Sequence, residues 1–195
     1  MKAAELRQKS IINNSGNVLE QLVKELYNVN TEVYRAGTGE EIRERVKEIV
    51  RLKGIGSFAA WESDYLSSLG LIGMLEGEGL AHITSHDKND IAGAGMGITG
   101  ADYAIADTGT LVLLTDGSKP RGVSLLPPVH LAIVRESDIV CNIDELFVIL
   151  KQKLDAGEPV PSCMTFITGP SRTADIELNL TLGVHGPKEL HVIIT

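Results

Sequence analysis

Residues 131–134 read Leu-Ala-Ile-Val and open the stretch that decides the fold. A helix is predicted after this apolar run, because Asn142 stands three residues before Glu145 and apolar residues recur at helical spacing up to residue 154. Residues 164–168 (Met-Thr-Phe-Ile-Thr) then form another apolar run. Strands that are apolar throughout, with a helix between them, predict a parallel sheet covered by helices on both faces.

The same alternation precedes this stretch. A strand is predicted at residues 32–34, and a helix begins at the capping pair Thr38 and Glu41. Residues 57–61 form the next strand, and this order implies a parallel, right-handed crossover. Nearer the N-terminus, Asn17 is a candidate N-cap for a helix that begins after a break at residues 13–16.

Towards the C-terminus, a helix is predicted over residues 173–182, and residues 191–194 form the last strand of the sheet. No internal repeat or low-complexity linker divides the 195 residues. We therefore expect an α/β protein with a three-layer α/β/α open sheet. It should form a single domain over residues 1–195, in which residues 1–30 are mainly an N-terminal helical segment.

Composition narrows the classes of partner. The formal net charge is −8, which disfavours nucleic acid or an anionic membrane surface as a partner. Only two cysteines are present, Cys141 and Cys163, too few for a zinc or iron–sulfur ligand set. The first residues lack the apolar core of a signal peptide, and no run is long enough to span a membrane. We expect a cytoplasmic protein with no resident metal or cofactor.

One glycine pattern is a false lead. Residues 95–100 read Gly-Met-Gly-Ile-Thr-Gly and match the spacing of a dinucleotide-binding fingerprint. That fingerprint works only when a strand precedes the glycines and a helix follows, because the pyrophosphate must meet the helix N-terminus. Here a polar stretch precedes them and an apolar strand follows, so dinucleotide binding is not predicted.

Residues 107–110 (Asp-Thr-Gly-Thr) interrupt an otherwise continuous apolar segment. A tight turn between two strands explains this composition, and turn chemistry alone favours that interpretation. The alternative is a site that presents Asp107 at the end of a strand.

Residues 169–173 (Gly-Pro-Ser-Arg-Thr) follow a predicted buried strand and precede a predicted helix. Backbone N–H groups and the helix dipole would then face an anion, and Arg172 would add a planar fork for carboxylate or phosphate. Ordinary helix capping by Ser171 or Thr173 is the alternative, and both can hold together. Arg121, also in a loop, either joins such a site or is simply solvated.

The histidines carry weaker signals. His82 and His86 are four residues apart and would suit a metal on a helix, but β-branched neighbours favour a strand there. His130 follows two prolines at a strand start, where a capping or core role is favoured. His185 lies in a Gly-rich turn and is a candidate ligand contact.

Three ordered segments together resemble the LUD domain family, specifically lactate-utilization proteins of the LutC/YkgG type. They are residues 97–110 (GITGADYAIADTGT), residues 121–130 (RGVSLLPPVH), and residues 169–177 (GPSRTADIE) with residues 183–187 (GVHGP). The match is dense from Gly97 to the C-terminus and looser before it.

This resemblance implies a fold of the NagB/RpiA/CoA-transferase type and a role in oxidising L-lactate to pyruvate. It also implies two partner subunits, one an Fe–S protein and one a LUD protein with ferredoxin-like cysteine motifs. Because this chain lacks such motifs, it resembles the cluster-free branch. The family usually carries Glu where this chain has Asp107.

We therefore expect a cluster-free subunit of an L-lactate utilization system, working with Fe–S-containing subunits and binding a small carboxylate or phosphate. The protein could also form a homo-oligomer. The alternatives are a free-standing CoA-ester or sugar-phosphate transferase or isomerase, and a non-catalytic scaffold subunit. Asp107 is the candidate catalytic residue. The expected anion-binding residues are Thr99, Thr108, Gly109, Thr110, Arg121, Gly169, Ser171, Arg172, Thr173 and His185, with no metal ligands.

Overall fold

The computed structural model describes residues 17–117, 119–174 and 180–195. The helices are α1 (17–28), α2 (Gly39–Lys53), α3 (Asp64–Ser68), α4 (Leu71–Gly77), α5 (Lys88–Ala92), α6 (Gly122–Leu125) and α7 (Ile143–Asp155). The strands are β1 (Glu32–Arg35), β2 (Ser57–Ala60), β3 (Ala81–His82), β4 (Met96–Gly100), β5 (Tyr103–Ile105), β6 (Thr110–Thr115), β7 (Val129–Val134), β8 (Ile139–Val140), β9 (Cys163–Ile167), β10 (Arg172–Ala174), β11 (Leu180–Leu182) and β12 (Glu189–Ile194).

The central sheet has six strands in the order β1-β12-β7-β4-β2-β3, and every pair of neighbours is parallel. Helices flank it in a three-layer α/β/α arrangement, as predicted. β7 and β12 lie inside the sheet and are almost wholly buried, which explains their apolar sequences. Within the described part of the chain, no helix has the length and apolar character of a membrane span.

A second sheet of four strands, in the order β8-β5-β6-β9, leaves the central sheet after β4. β5, β6 and β9 pair antiparallel, so the strand predicted at residues 164–168 belongs to this smaller sheet. Side chains alternate along β6. Leu111 and Leu113 join the main core, and Val112 faces a smaller core with Tyr103 and Leu146 under α7.

Helix capping follows the sequence at two helices. Thr38 Oγ1 accepts from the backbone N–H of Glu41 (3.2 Å), and Asn142 accepts from that of Glu145 (3.0 Å). Asn17 is itself helical, so it is not the N-cap of α1. The break predicted at residues 13–16 lies outside the described residues.

One strand was missed from the sequence, and one local prediction was wrong. Residues 95–100 were not predicted as a strand, yet most of them form β4 in the middle of the central sheet. The helix predicted over residues 173–182 is wrong at both of its ends, because β10 pairs antiparallel with β11 and places Thr173 opposite Thr181. Threonine favours such cross-strand pairs over a helix interior. Residues 175–179 of that prediction lie outside the described residues.

Candidate functional site

A cavity of about 190 Å³ lies at the amino ends of β7 and β12, where residues 124–130, 165–171 and 185–190 meet. We call it the His130 cavity. Its walls combine several apolar side chains with a few polar groups, a mixture typical of small-molecule sites. The lining residues are Ser124, Leu125, His130, Thr165, Phe166, Ile167, Thr168, Gly169, Pro170, Ser171, His185, Gly186, Pro187 and Leu190.

His130 is the buried polar group of this cavity. It is the second residue of β7, and its side chain is 0% exposed. Its Nε2 lies 2.8 Å from Thr99 Oγ1 on the neighbouring strand, whereas its Nδ1 is buried without a hydrogen-bond partner. Burial, aided by the nearby His191, lowers the pKa of His130 to about 3.

A neutral imidazole carries one donor and one acceptor nitrogen. The Thr99 hydroxyl can take either role towards Nε2, so Nδ1 can accept from a hydroxyl or donate to an oxygen. Buried polar atoms without a partner are rare in folded proteins and call for an explanation. Because His130 lines the cavity, its Nδ1 is a candidate contact for a ligand there.

α6 forms one wall and needs a glycine beneath it. A Cβ on Gly97 would overlap the backbone carbonyl of Val123, so only glycine lets α6 lie directly on β4. This close approach brings Ser124, the next residue of α6, to the edge of the His130 cavity.

The opposite wall comes from the loop after β9. Gly169 has φ of 75°, and a Cβ there would overlap the carbonyl oxygen of Val29 just after α1. Ser171 donates its N–H to Pro187 O (2.9 Å), and Gly183 donates to Ser171 O (2.9 Å). These bonds tie the loop to the turn at residues 183–187, and so bring His185 to the cavity rim.

Arg172 and Thr173 do not line the cavity. Arg172 is exposed, and its guanidinium donates to the carbonyl oxygen of Val29. Both residues belong to β10, so the helix dipole assumed for this loop is absent. The anion-binding prediction at residues 169–173 therefore lacks both the helix dipole and the Arg172 guanidinium. Of the residues predicted in this loop, Gly169 and Ser171 do line the cavity.

Residues 107–109 form the turn between β5 and β6, as turn chemistry favoured. Asp107 and Thr108 are exposed, and Asp107 does not line the His130 cavity. The turn reaches the cavity through hydroxyls alone. Thr110 Oγ1 lies 2.8 Å from the hydroxyls of both Thr108 and Thr168, and Thr168 is a lining residue.

Arg121 and the cysteines lie outside this cavity. Arg121 is exposed, and its Nη1 lies 3.7 Å from Cys163 Sγ. Both cysteines are free and partly buried. Burial, and then the neighbouring Glu145, raise the pKa of Cys141, so its thiol is not activated.

His82 and His86 are not brought together at a metal site. The ring of His82 stacks on Phe58 with centroids 4.7 Å apart, and its Nδ1 lies 3.3 Å from Glu76. His86 is exposed. Among the residues that the structure describes, no three His, Cys, Asp or Glu side chains are placed to hold a metal ion.

Comparison with known protein families identifies the family of this chain. The model of the LUD domain family matches residues 19–195, which is most of the chain. The chain belongs to the LUD domain family. It is 34% identical to lactate utilization protein C of Geobacillus sp. (strain WCH70), over 91% of this chain and 78% of that protein. It is 35% identical to lactate utilization protein C 1 of Bacillus mycoides (strain KBAB4), over 89% of this chain and 77% of that protein.

A solved structure supports the fold of this LUD protein. A DUF162 family protein from Deinococcus radiodurans superposes with a TM-score of 0.65, covering 92% of this chain and 97% of that one. At 21% sequence identity, the likeness concerns the fold alone.

From the sequence, His130 was assigned a capping or core role, and its complete burial in β7 agrees with a core position. Its place in the wall of the cavity was not predicted. The available signal was a polar residue near the start of a strand that is otherwise apolar throughout. Thr99 was predicted as a site residue, and it reaches the cavity only through His130.

Proposed function

We propose that this protein is the cluster-free subunit of a lactate utilization system and that the His130 cavity binds the small carboxylate handled by that system. The names of the LutC-type relatives and the family resemblance support the first part. One observation carries the second part. The neutral, buried His130 has an unpartnered Nδ1 and lines a cavity formed with residues of the second and third family segments, while Thr99 of the first segment bonds to its Nε2.

The size of the cavity favours a small acid. Sites for drug-sized ligands usually measure about 300–1,000 Å³. The His130 cavity, at about 190 Å³, is smaller, which suits a three-carbon acid better than a CoA ester or a dinucleotide. This argument disfavours the transferase alternative for this cavity.

The polar groups suit a 2-hydroxy or 2-keto acid. His130 Nδ1 would accept a hydrogen bond from the hydroxyl of lactate or donate one to the keto oxygen of pyruvate, because the Thr99 hydroxyl accommodates either tautomer of the ring. His185, exposed at the rim, would donate to the carboxylate. In this proposal the chain acts as one domain, and Fe–S-containing partner subunits take the electrons released by lactate oxidation.

The test is a calorimetric titration of lactate and of pyruvate at constant ionic strength. The variant combines Thr99→Val with His130→Leu, because replacing both partners of a buried hydrogen bond by apolar groups of similar shape is nearly neutral for stability. We expect saturable binding by the wild type and a loss of about tenfold or more in the double variant.

The matched control is His191→Gln. His191 is also a buried histidine, but it pairs with Tyr34 and Glu189 and does not line the His130 cavity. It should retain wild-type affinity. Equal affinity in the wild type and the folded double variant, or no saturable binding of either acid, would contradict the proposal.

A further inference from the structure

A second cavity, of about 240 Å³, lies at the opposite end of the central strands, outside their carboxyl ends. Trp61 follows the end of β2, Gly100 ends β4, and Arg135 follows the end of β7. In open parallel sheets, ligands bind outside the carboxyl ends of the strands. The His130 cavity lies at the amino ends instead, so the two cavities are distinct places in the fold.

Three cations and two carboxylates line this second cavity, which we call the cationic crevice. Asp138 engages Arg135 through Nε at 2.6 Å, which leaves the two Nη groups of the guanidinium able to bind a ligand. Lys119 Nζ lies 3.5 Å from Asp102, a carboxylate that also accepts the N–H of Leu114. The lining is therefore net positive in a chain of net charge −8.

Each cation rests on an aromatic ring of the same cavity. Lys119 lies 5.6 Å from the ring centroid of Trp61, and Arg135 lies 5.2 Å from that of Tyr65. Lys153, near the end of α7, lies 5.7 Å from the ring centroid of Tyr103, and its Nζ lies 3.6 Å from Glu158, which does not line the cavity. Such contacts hold the charged groups over the rings and reduce the conformational entropy that a ligand must offset on binding.

We propose that the cationic crevice binds a phosphate group, either as inorganic phosphate or as the phosphate of an ester. The guanidinium edge of Arg135 matches two phosphate oxygens, and the two ammonium groups add point charges from two other elements. A doubly charged tetrahedral anion uses more of these donors than a monocarboxylate does. This site is independent of the carboxylate site at His130.

The experiment titrates wild-type protein with inorganic phosphate and, separately, with AMP, by calorimetry at constant ionic strength. Lys153→Gln removes one cation of the crevice. Lys151→Gln, on the same helix, is the matched control, because Lys151 pairs with Asp155 and does not line the cavity. We expect saturable binding that Lys153→Gln weakens by about fivefold or more and that Lys151→Gln leaves unchanged.

The two probes separate the sources of the phosphate. Tighter binding of AMP assigns the site to a phosphate ester, and equal binding assigns it to the phosphate group itself. The Thr99→Val and His130→Leu double variant should bind both probes like the wild type, so this test stands apart from that of the carboxylate site. The proposal is overturned if neither probe binds saturably, or if the two lysine variants lose affinity equally.

Discussion

His130 shows how one residue can be costly to the fold and useful to a site. Its ring is fully buried, and Thr99 partners only one of its two nitrogens. An unpartnered buried polar atom typically costs about 1–3 kcal/mol, which an apolar residue at the same place would avoid. In the proposed function, a bound ligand that reaches this nitrogen would offset that cost.

The lowered pKa of His130 predicts an acid-sensitive fold. The unfolded chain gains a proton at this residue below about pH 6.5, whereas the folded protein does not until the pKa of about 3. Between these values the unfolded state binds more protons, so stability falls as the pH falls, by up to about 1.4 kcal/mol per pH unit.

The measurement is urea unfolding of the wild type and of the Thr99→Val and His130→Leu double variant at several pH values from 7.5 to 4. The wild type should lose stability more steeply below about pH 6.5. His191, whose pKa is also lowered by burial, is present in both proteins and cancels in the comparison. Parallel stability curves would show that His130 can be protonated in the folded state.

At the scale of elements, the turn between β5 and β6 is fixed by its contact with α1. Gly109 has φ of 62°, and a Cβ there would lie 2.6 Å from the backbone carbonyl carbon of Glu25. The turn therefore needs glycine twice, once for its conformation and once for the approach of the helix. This contact helps hold α1 against the second sheet.

Gly109→Ala should destabilise the protein by several kcal/mol, because both conformational strain and backbone overlap arise there. Gly54→Ala is the matched control. Gly54 has φ of 63°, but a Cβ there meets no atom within 4 Å, so only about 1–2 kcal/mol of strain is expected. Chemical denaturation compares the two. Equal losses of stability in the two variants would mean that α1 can shift away from the turn without a cost in free energy.

The same elements show what a sequence can and cannot predict here. The α/β alternation, the capping residues Thr38 and Asn142, and the turn after β5 depend on local chemistry and were predicted. Residues 173–174 of β10 and all of β11 were predicted as helix, because the pairing of these two strands is set by tertiary contacts that local spacing does not encode. The four-stranded sheet β8-β5-β6-β9 was not predicted for the same reason.

The residues of the candidate site also fall into two groups, those that local sequence predicts and those that depend on tertiary packing. Gly169, Ser171 and His185 were expected at the site and do line the His130 cavity, since loop composition signals such positions. Arg172 was expected there too, but it bonds to the chain just after α1, a contact 143 residues away in sequence. The missing partner of His130 Nδ1 is a property of packing, which no spacing reveals.

At the scale of the molecule, one main core joins the central sheet to α1, α2 and one face of the second sheet. β10 and β11 form a separate sheet of two strands that pair with each other. Isolated two-stranded sheets are marginally stable, whereas interior strands such as β7 open only when the whole domain unfolds.

Hydrogen exchange followed by mass spectrometry should therefore detect two levels of protection. Backbone amides of β7 and β12 should exchange only by global unfolding, and those of β10 and β11 at a clearly lower free energy. Lactate or pyruvate should slow exchange at residues 169–171, which link the His130 cavity to β10. Uniform protection across both sheets would show that β10 and β11 unfold together with the core.

The position of β12 between β1 and β7 also sets the order of events during protein synthesis. β1 precedes the other described strands in the chain, yet its partner in the central sheet, β12, follows all of them. At about 5–20 residues per second, the stretch from Arg35 to Glu189 takes roughly 8–30 s to translate. Throughout that interval β1 lacks its neighbour, and the nascent chain keeps an open sheet edge within reach of chaperones.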